Sequence, residues 1–139
     1  MFKKILLPID LTDRHSRVIE VAAELATQSG GEVILLHVIE TIAGLAMEEE
    51  QDFYRRLERA AQTQLQRLGQ YLAECNVPWQ AVIRYGNRAS ESVRFAQEAS
   101  AELIILTTPR LDPAVPSAGW GSMSYRIGIL SQCPVLLVK

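Results

Sequence analysis

Apolar and polar positions along this chain follow two alternating rhythms. Short blocks of continuous Ile, Leu and Val read as buried strands. Longer stretches with apolar residues three and four apart read as amphipathic helices. Lys3–Ile9 is the first apolar block, ending around Pro8 and Asp10. From Arg17 to Gln28 the polar residues Arg17, Glu20, Glu24 and Gln28 form one solvent stripe on a helix built of Val18, Val21, Ala22, Leu25 and Ala26. Thr12 or Asp13 is placed to cap its start, and Gly30-Gly31 to stop it. Glu32–Ile39 is a second buried strand, followed by a loop over Thr41–Met47. Phe53, Leu57, Ala61, Leu65, Leu68 and Leu72 then recur at helical spacing, predicting a helix of about seven turns that Asn76 and Pro78 end. Trp79–Tyr85 mixes apolar and polar members, as an edge strand does.

Gly86-Asn87 turns the chain, with Asn87 as N-cap of a helix to about Ser100. Glu102–Thr108 is a fourth strand, and Pro109–Trp120 a proline-bearing loop. A last helix runs from about Gly121 to Leu130, and Val135–Val138 is the final strand. The order β-α-β-α-β-α-β-α-β implies an α/β fold, a doubly wound parallel sheet with helices on both faces. The 139 residues suit one domain, residues 1–139, large enough to bury a core without a disulfide or metal staple.

Charge narrows the function classes. With 14 Lys+Arg against 16 Asp+Glu, the net charge of −2 argues against a general nucleic-acid binder. No segment reaches the ~18–20 apolar residues of a membrane span. The N-terminal run is too short for a signal peptide. The expectation is a cytoplasmic protein. Cys75 and Cys133 form no metal or redox motif and read as small buried hydrophobes.

Candidate chemistry follows from topology. Doubly wound sheets bind ligands beyond the carboxyl ends of their strands, where strand order reverses. Three segments are expected there: Pro8–Thr12, His37–Glu40 and Thr107–Ser124. Asp10 is either a helix cap or a ligand contact, and the two roles are compatible. His37 reads as a satisfied core histidine, and His15 as a surface residue of the first helix. Thr107 and Thr108 either end a strand or meet a ligand. Arg110 is a solvated loop residue or a phosphate contact, and Gly121-Ser122 a plain helix start or a phosphate site. Trp120 reads as a packing anchor in preference to a lid over the ligand. Glu48–Asp52 reads as the acidic first turn of the long helix.

Several segments together resemble the universal stress protein family over essentially the whole chain: Ile5-Leu6-Leu7-Pro8-Ile9-Asp10, Leu35-Leu36-His37-Val38, Gly86-Asn87, Ala101-Glu102-Leu103-Ile104-Ile105, Gly121-Ser122 and Cys133-Pro134-Val135-Leu136-Leu137-Val138. The resemblance implies five strands in the order 3-2-1-4-5. It also implies binding of an adenine nucleotide, ATP or AMP, with or without Mg²⁺. By the same resemblance Pro8 and Asp10 meet the nucleoside, and backbone near Val38 receives the base. Thr107, Thr108, Arg110, Gly121, Ser122 and Ser124 lie where phosphates are held. Homodimerisation through Val135, Leu136, Leu137 and Val138 is also implied, with regulatory protein partners.

The sequence departs from the family at the phosphate loop. Thr107 and Arg110 stand where two glycines belong, and Pro109 has no N–H to offer an anion nest. Arg110 and the N-terminus of the last helix are compensating anion contacts. The expected function is therefore a nucleotide-binding sensor or regulator without dedicated catalytic groups. The alternative is an interaction module of the same fold that no longer binds nucleotide. An adenylyl- or phosphoryl-transferring enzyme is a third reading, and it would need Asp112 as its Mg²⁺ ligand.

Overall fold

The computed structural model describes residues 1–41, 50–109, 114 and 123–139. Strands β1 (Lys4–Pro8), β2 (Glu32–Ile39), β3 (Trp79–Tyr85), β4 (Leu103–Thr107) and β5 (Val135–Val138) form one parallel sheet in the order β3-β2-β1-β4-β5. Between them run α1 (Ser16–Ser29), α2 (Gln51–Glu74), α3 (Arg88–Glu98) and α4 (Met123–Leu130).

Period-2 alternation divides the apolar strands between two cores. Ile5, Leu7, Val33, Leu35, Leu103 and Ile105 face α1 and α2, joined by Ala22, Ala26, Leu65 and Leu72. Leu6, Ile34, Leu36, Ile104 and Leu106 face α3 and α4, joined by Ala89, Phe95, Ala96 and Ile127. Each fully buried Leu or Ile contributes roughly 1.5–3 kcal/mol relative to exposure, so the sheet is stabilised from both sides.

Turn chemistry sets the element ends. Gly30 adopts φ +67° as the C-cap of α1, a left-handed conformation that glycine enters without a Cβ clash. A Cβ on Gly31 would stand 2.7 Å from the carbonyl oxygens of Phe2 and Lys3, so this glycine lets the α1–β2 turn pass against β1. Asn87 caps α3 as expected, its side chain accepting the Ser90 N–H at 3.0 Å.

Some local expectations differ. α1 begins at Ser16, and neither Thr12 nor Asp13 caps it; the N-cap position is His15, without a side-chain cap bond. On α2 the buried aromatic is Tyr54 rather than Phe53, which is exposed. Tyr54 packs edge-on against Tyr85 of β3 with ring centroids 6.2 Å apart. Cys75 and Cys133 are half-buried rather than fully buried. The expected loop over Thr41–Met47 lies almost wholly outside the described residues, as do Glu48 and Glu49. So does the Pro109–Trp120 loop except Pro109 and Ala114.

One register detail prepares the site. The Lys4 carbonyl accepts the Glu102 N–H on the β4 side, while the Ile9 N–H donates to Leu36 on the β2 side. Even-numbered residues of β1 therefore turn their peptide groups toward β4. Pro8 is the even-numbered residue at the strand's end, and it has no N–H. The β1–β4 register covers only Ile5↔Leu103 and Leu6↔Ile104, although β4 continues to Thr107. The strands part where their order reverses.

Candidate functional site

At the carboxyl ends of β1 and β2 lies a hollow of about 360 Å³. Val38, Ile39 and Leu57 give it apolar wall; Asp10, Thr12, His37 and Arg88 give it polar groups. A crevice of about 10 Å³ adjoins it, lined by Pro8, Leu36, Ser92 and Met123 and sharing Asp10, Val38 and Arg88 with the hollow. The mixture of apolar wall and few polar groups is the usual make-up of a small-molecule site, and the volume is within the usual range.

Asp10 is the most connected residue here. Its Oδ1 accepts the Thr12 N–H at 2.9 Å and the Thr12 hydroxyl. Arg14 Nη2 donates to Oδ2 at 2.8 Å. His15 Nε2 lies 2.7 Å from Oδ1. Burial would raise the Asp10 carboxyl, but the hydrogen bonds from the Thr12 hydroxyl, the His15 ring and the Thr12 N–H outweigh it. They hold Asp10 well below the usual carboxylate range, so it is an anion at neutral pH.

His15 corrects the sequence reading. It is 2% exposed, not a surface residue. Its Nδ1 lies 2.9 Å from Thr107 Oγ1, so the ring bridges the end of β1 to the end of β4 across the gap that Pro8 leaves. One ring nitrogen thus meets the Asp10 carboxylate and the other the Thr107 hydroxyl. A chain of acid, imidazole and hydroxyl has the connectivity of a hydrolytic triad. Here the imidazole is enclosed and each member satisfies the next, which suits a structural bridge.

A second histidine ties the other strands. His37, 4% exposed, donates from Nδ1 to the Ile9 carbonyl at 2.7 Å. This is the satisfied core histidine expected. Burial pushes its pKa down; the bond to Ile9 opposes this, and the charge of Arg88 adds to it. The ring is neutral, which leaves Nε2 an acceptor. From α2, Gln64 Nε2 donates to the Thr12 carbonyl at 2.7 Å, fixing the β1–α1 turn.

The structure gathers Pro8, Asp10 and Val38 around the hollow and crevice. Thr107 turns its hydroxyl to His15, and Thr108 is buried with its N–H on the Val138 carbonyl at 2.9 Å. Ser124 is half-buried in the first turn of α4, beside Met123 of the crevice wall. Arg110, Gly121 and Ser122 lie outside the described residues, as do Asp112 and Trp120. Thr12 falls in the segment expected at the site, and the residues that sequence reasoning missed are His15, Leu57, Arg88 and Ser92. Ser92 had a signal, since a serine interrupts the buried stripe Ala89, Phe95, Ala96. Among the described residues no cluster of His, Cys, Asp or Glu is arranged to hold a metal. No described helix is long and apolar enough to cross a membrane.

Comparison with known proteins gives a consistent result. The model of the Universal stress protein family matches residues 1–139. A universal stress protein from Thermus aquaticus, encoded in a QAH/OAS sulfhydrylase 3′ region, is 33% identical over 142 residues, covering all of both chains. The solved structure of hypothetical protein MJ0577 superposes with a TM-score of 0.85 at 26% identity, covering 100% of this chain and 96% of that one. A universal stress protein from Archaeoglobus fulgidus, solved in complex with dAMP, has a TM-score of 0.67 at 20% identity, with full coverage of both chains.

Proposed function

The chain belongs to the universal stress protein family, and on that premise we propose that it binds an adenine nucleotide in the hollow beyond β1 and β2 and acts as a cytoplasmic regulator rather than as an enzyme. The observation that carries this reading is the hollow itself: about 360 Å³ at the carboxyl ends of the strands, bounded by Asp10 and Val38. A protein of the same fold from Archaeoglobus fulgidus takes dAMP, a ligand whose base and sugar suit such a volume. Val38, Ile39 and Leu57 offer apolar contact to a base. Asp10, held ionised, offers an acceptor to a ribose hydroxyl or a base amine. ATP and AMP are both candidates, with or without Mg²⁺.

The regulator acts as a homodimer through β5. Val135–Val138 is the outer strand of the sheet, and such an edge invites pairing. Leu136 and Leu137 are exposed on it, and Ile129 and Leu130 are exposed on α4 next to it in the chain. Pairing about a two-fold axis would cover this apolar surface. Sedimentation at micromolar concentration shows a dimer if this holds, and a monomer for Leu137→Lys.

The alternative, an interaction module without nucleotide, has one observation in its favour. Thr107 stands where the family carries a glycine, and its hydroxyl is engaged by His15 rather than left for a phosphate. A calorimetric titration with ATP, ADP and AMP decides between the two. The nucleotide reading expects saturable binding that Leu57→Trp blocks by filling the hollow, at an unchanged unfolding midpoint. Absence of heat with every nucleotide, from protein stripped of co-purified ligand, favours the module.

A further inference from the structure

Ser92 is out of place in the core of α3. It is 1% exposed, and its hydroxyl has no hydrogen-bond partner. A helical serine ordinarily bonds the carbonyl one turn back, and this one does not. Its neighbours on the buried stripe are Ala89, Phe95 and Ala96, so an apolar residue would pack there without the penalty of an unsatisfied hydroxyl. A buried polar group with no partner in the chain is ordinarily met by an ordered water or by a ligand group that displaces it.

The surroundings define that occupant. Ser92 lines the crevice of about 10 Å³ whose other walls include Pro8, Leu36 and Val38. This is room for one small polar group, not for a ring. The crevice shares Asp10, Val38 and Arg88 with the hollow of about 360 Å³, which does have room for a ring. A flat heterocycle lying over Val38 in the hollow would direct one substituent into the crevice.

We propose that Ser92 is a specificity-determining residue that reads a small polar substituent on the ring of the bound heterocycle, for an adenine ring its 6-amino group. The inference rests on the nucleotide reading of the hollow. The Ser92 hydroxyl accepts from the amine, with the Asp10 carboxylate on the same crevice as a second acceptor. The hydroxyl has no partner within the chain, which leaves it available to the ligand amine, so the residue contributes to selectivity rather than to packing.

Titration of the wild type, Ser92→Ala and Ser92→Cys with AMP and with purine riboside 5′-monophosphate, which lacks the 6-substituent, tests this. One net hydrogen bond corresponds to about a tenfold preference for AMP in the wild type. Both variants should lose that preference by weakening AMP alone. A purely structural role would move the midpoint and leave the ratio of affinities unchanged. That unchanged ratio would overturn the proposal, as would equal wild-type affinity for the two ligands; both results keep nucleotide binding intact. A wild type that binds neither ligand would remove the nucleotide reading and this inference together.

Discussion

On the α1/α2 face of the sheet, the polar groups at the strand ends are tied into one another. His15 joins Asp10 to Thr107, His37 joins β2 to the Ile9 carbonyl, and Gln64 of α2 holds the Thr12 carbonyl. On the α3/α4 face, Ser92 keeps an unpaired hydroxyl beside a crevice, and α4 leaves Ile129 and Leu130 exposed. The same strands serve both faces, so the contrast comes from the helices and turns laid on them. The difference is one of polar closure: at the strand ends the first face ties its polar groups to one another, whereas Ser92 on the second has no partner within the chain. The hollow itself is walled from both sides, by Leu57 of α2 and Arg88 of α3.

Neighbouring residues of β2 test this contrast most strongly. Leu35 packs in the α1/α2 core and Leu36 in the α3/α4 core. Either one changed to alanine should cost about 2–5 kcal/mol in urea denaturation. Only Leu36→Ala should also weaken AMP, because Leu36 lines the crevice. Equal effects on affinity would erase the functional distinction between the faces.

His15→Ala should come next. It leaves the Asp10 carboxylate and the Thr107 hydroxyl each short of a partner, at about 1–3 kcal/mol, read from the same denaturation curves. The two helical glycines then predict opposite signs. A Cβ on Gly69 of α2 would fall 2.3 Å from the Trp79 ring, so Gly69→Ala should destabilise by about 1–3 kcal/mol. Gly128 of α4 has nothing within 4 Å of such a Cβ, so Gly128→Ala should stabilise by about 0.5–1 kcal/mol. A loss of stability at Gly128 would mean that α4 is already covered.

A separate effect is read in acid. His37 has a lowered pKa in the folded protein, so the unfolded chain takes its proton first. Its stabilising contribution is intact above the ordinary histidine value of about 6.5 and is lost as pH falls below it. Asp10, also lowered, contributes fully above about 3.9 and loses that contribution as pH falls toward its folded value. Stability measured against pH should therefore decline in two stages. His37→Asn should flatten the upper one and Asp10→Asn the lower.

Much of this architecture is legible in the sequence, because strand and helix periodicities are strong and uninterrupted. Leu6 and Leu7, or Ile104 and Ile105, announce strands buried on both faces. Pro8 even marks where β1 must part from β4. The site was less legible for a physical reason. His15 sits at the N-cap position of α1, where no periodicity tells whether a ring points outward or folds back under the strand ends. In the Asp10–His15–Thr107 bridge, His15 and Thr107 are 92 positions apart, and only the assembled sheet brings them together. Arg88 opens α3, and nothing in the local sequence sets it apart; its place on the hollow follows from where β2 ends. At Phe53 and Tyr54 either aromatic fits the helical spacing, and Tyr85 across the interface favours burial of Tyr54.

The most direct test of a ligand site at the carboxyl ends of β1 and β2 is a titration of the ¹⁵N-labelled protein with AMP, followed by amide chemical shifts. The account predicts saturable shifts at Asp10, Thr12, Val38, Glu40 and Arg88. It predicts no shifts around the separate hollow of about 210 Å³ that Ser100, Ala101 and Cys133 line at the opposite end of the sheet. Saturating shifts confined to that opposite hollow, or none at any nucleotide concentration, would contradict it.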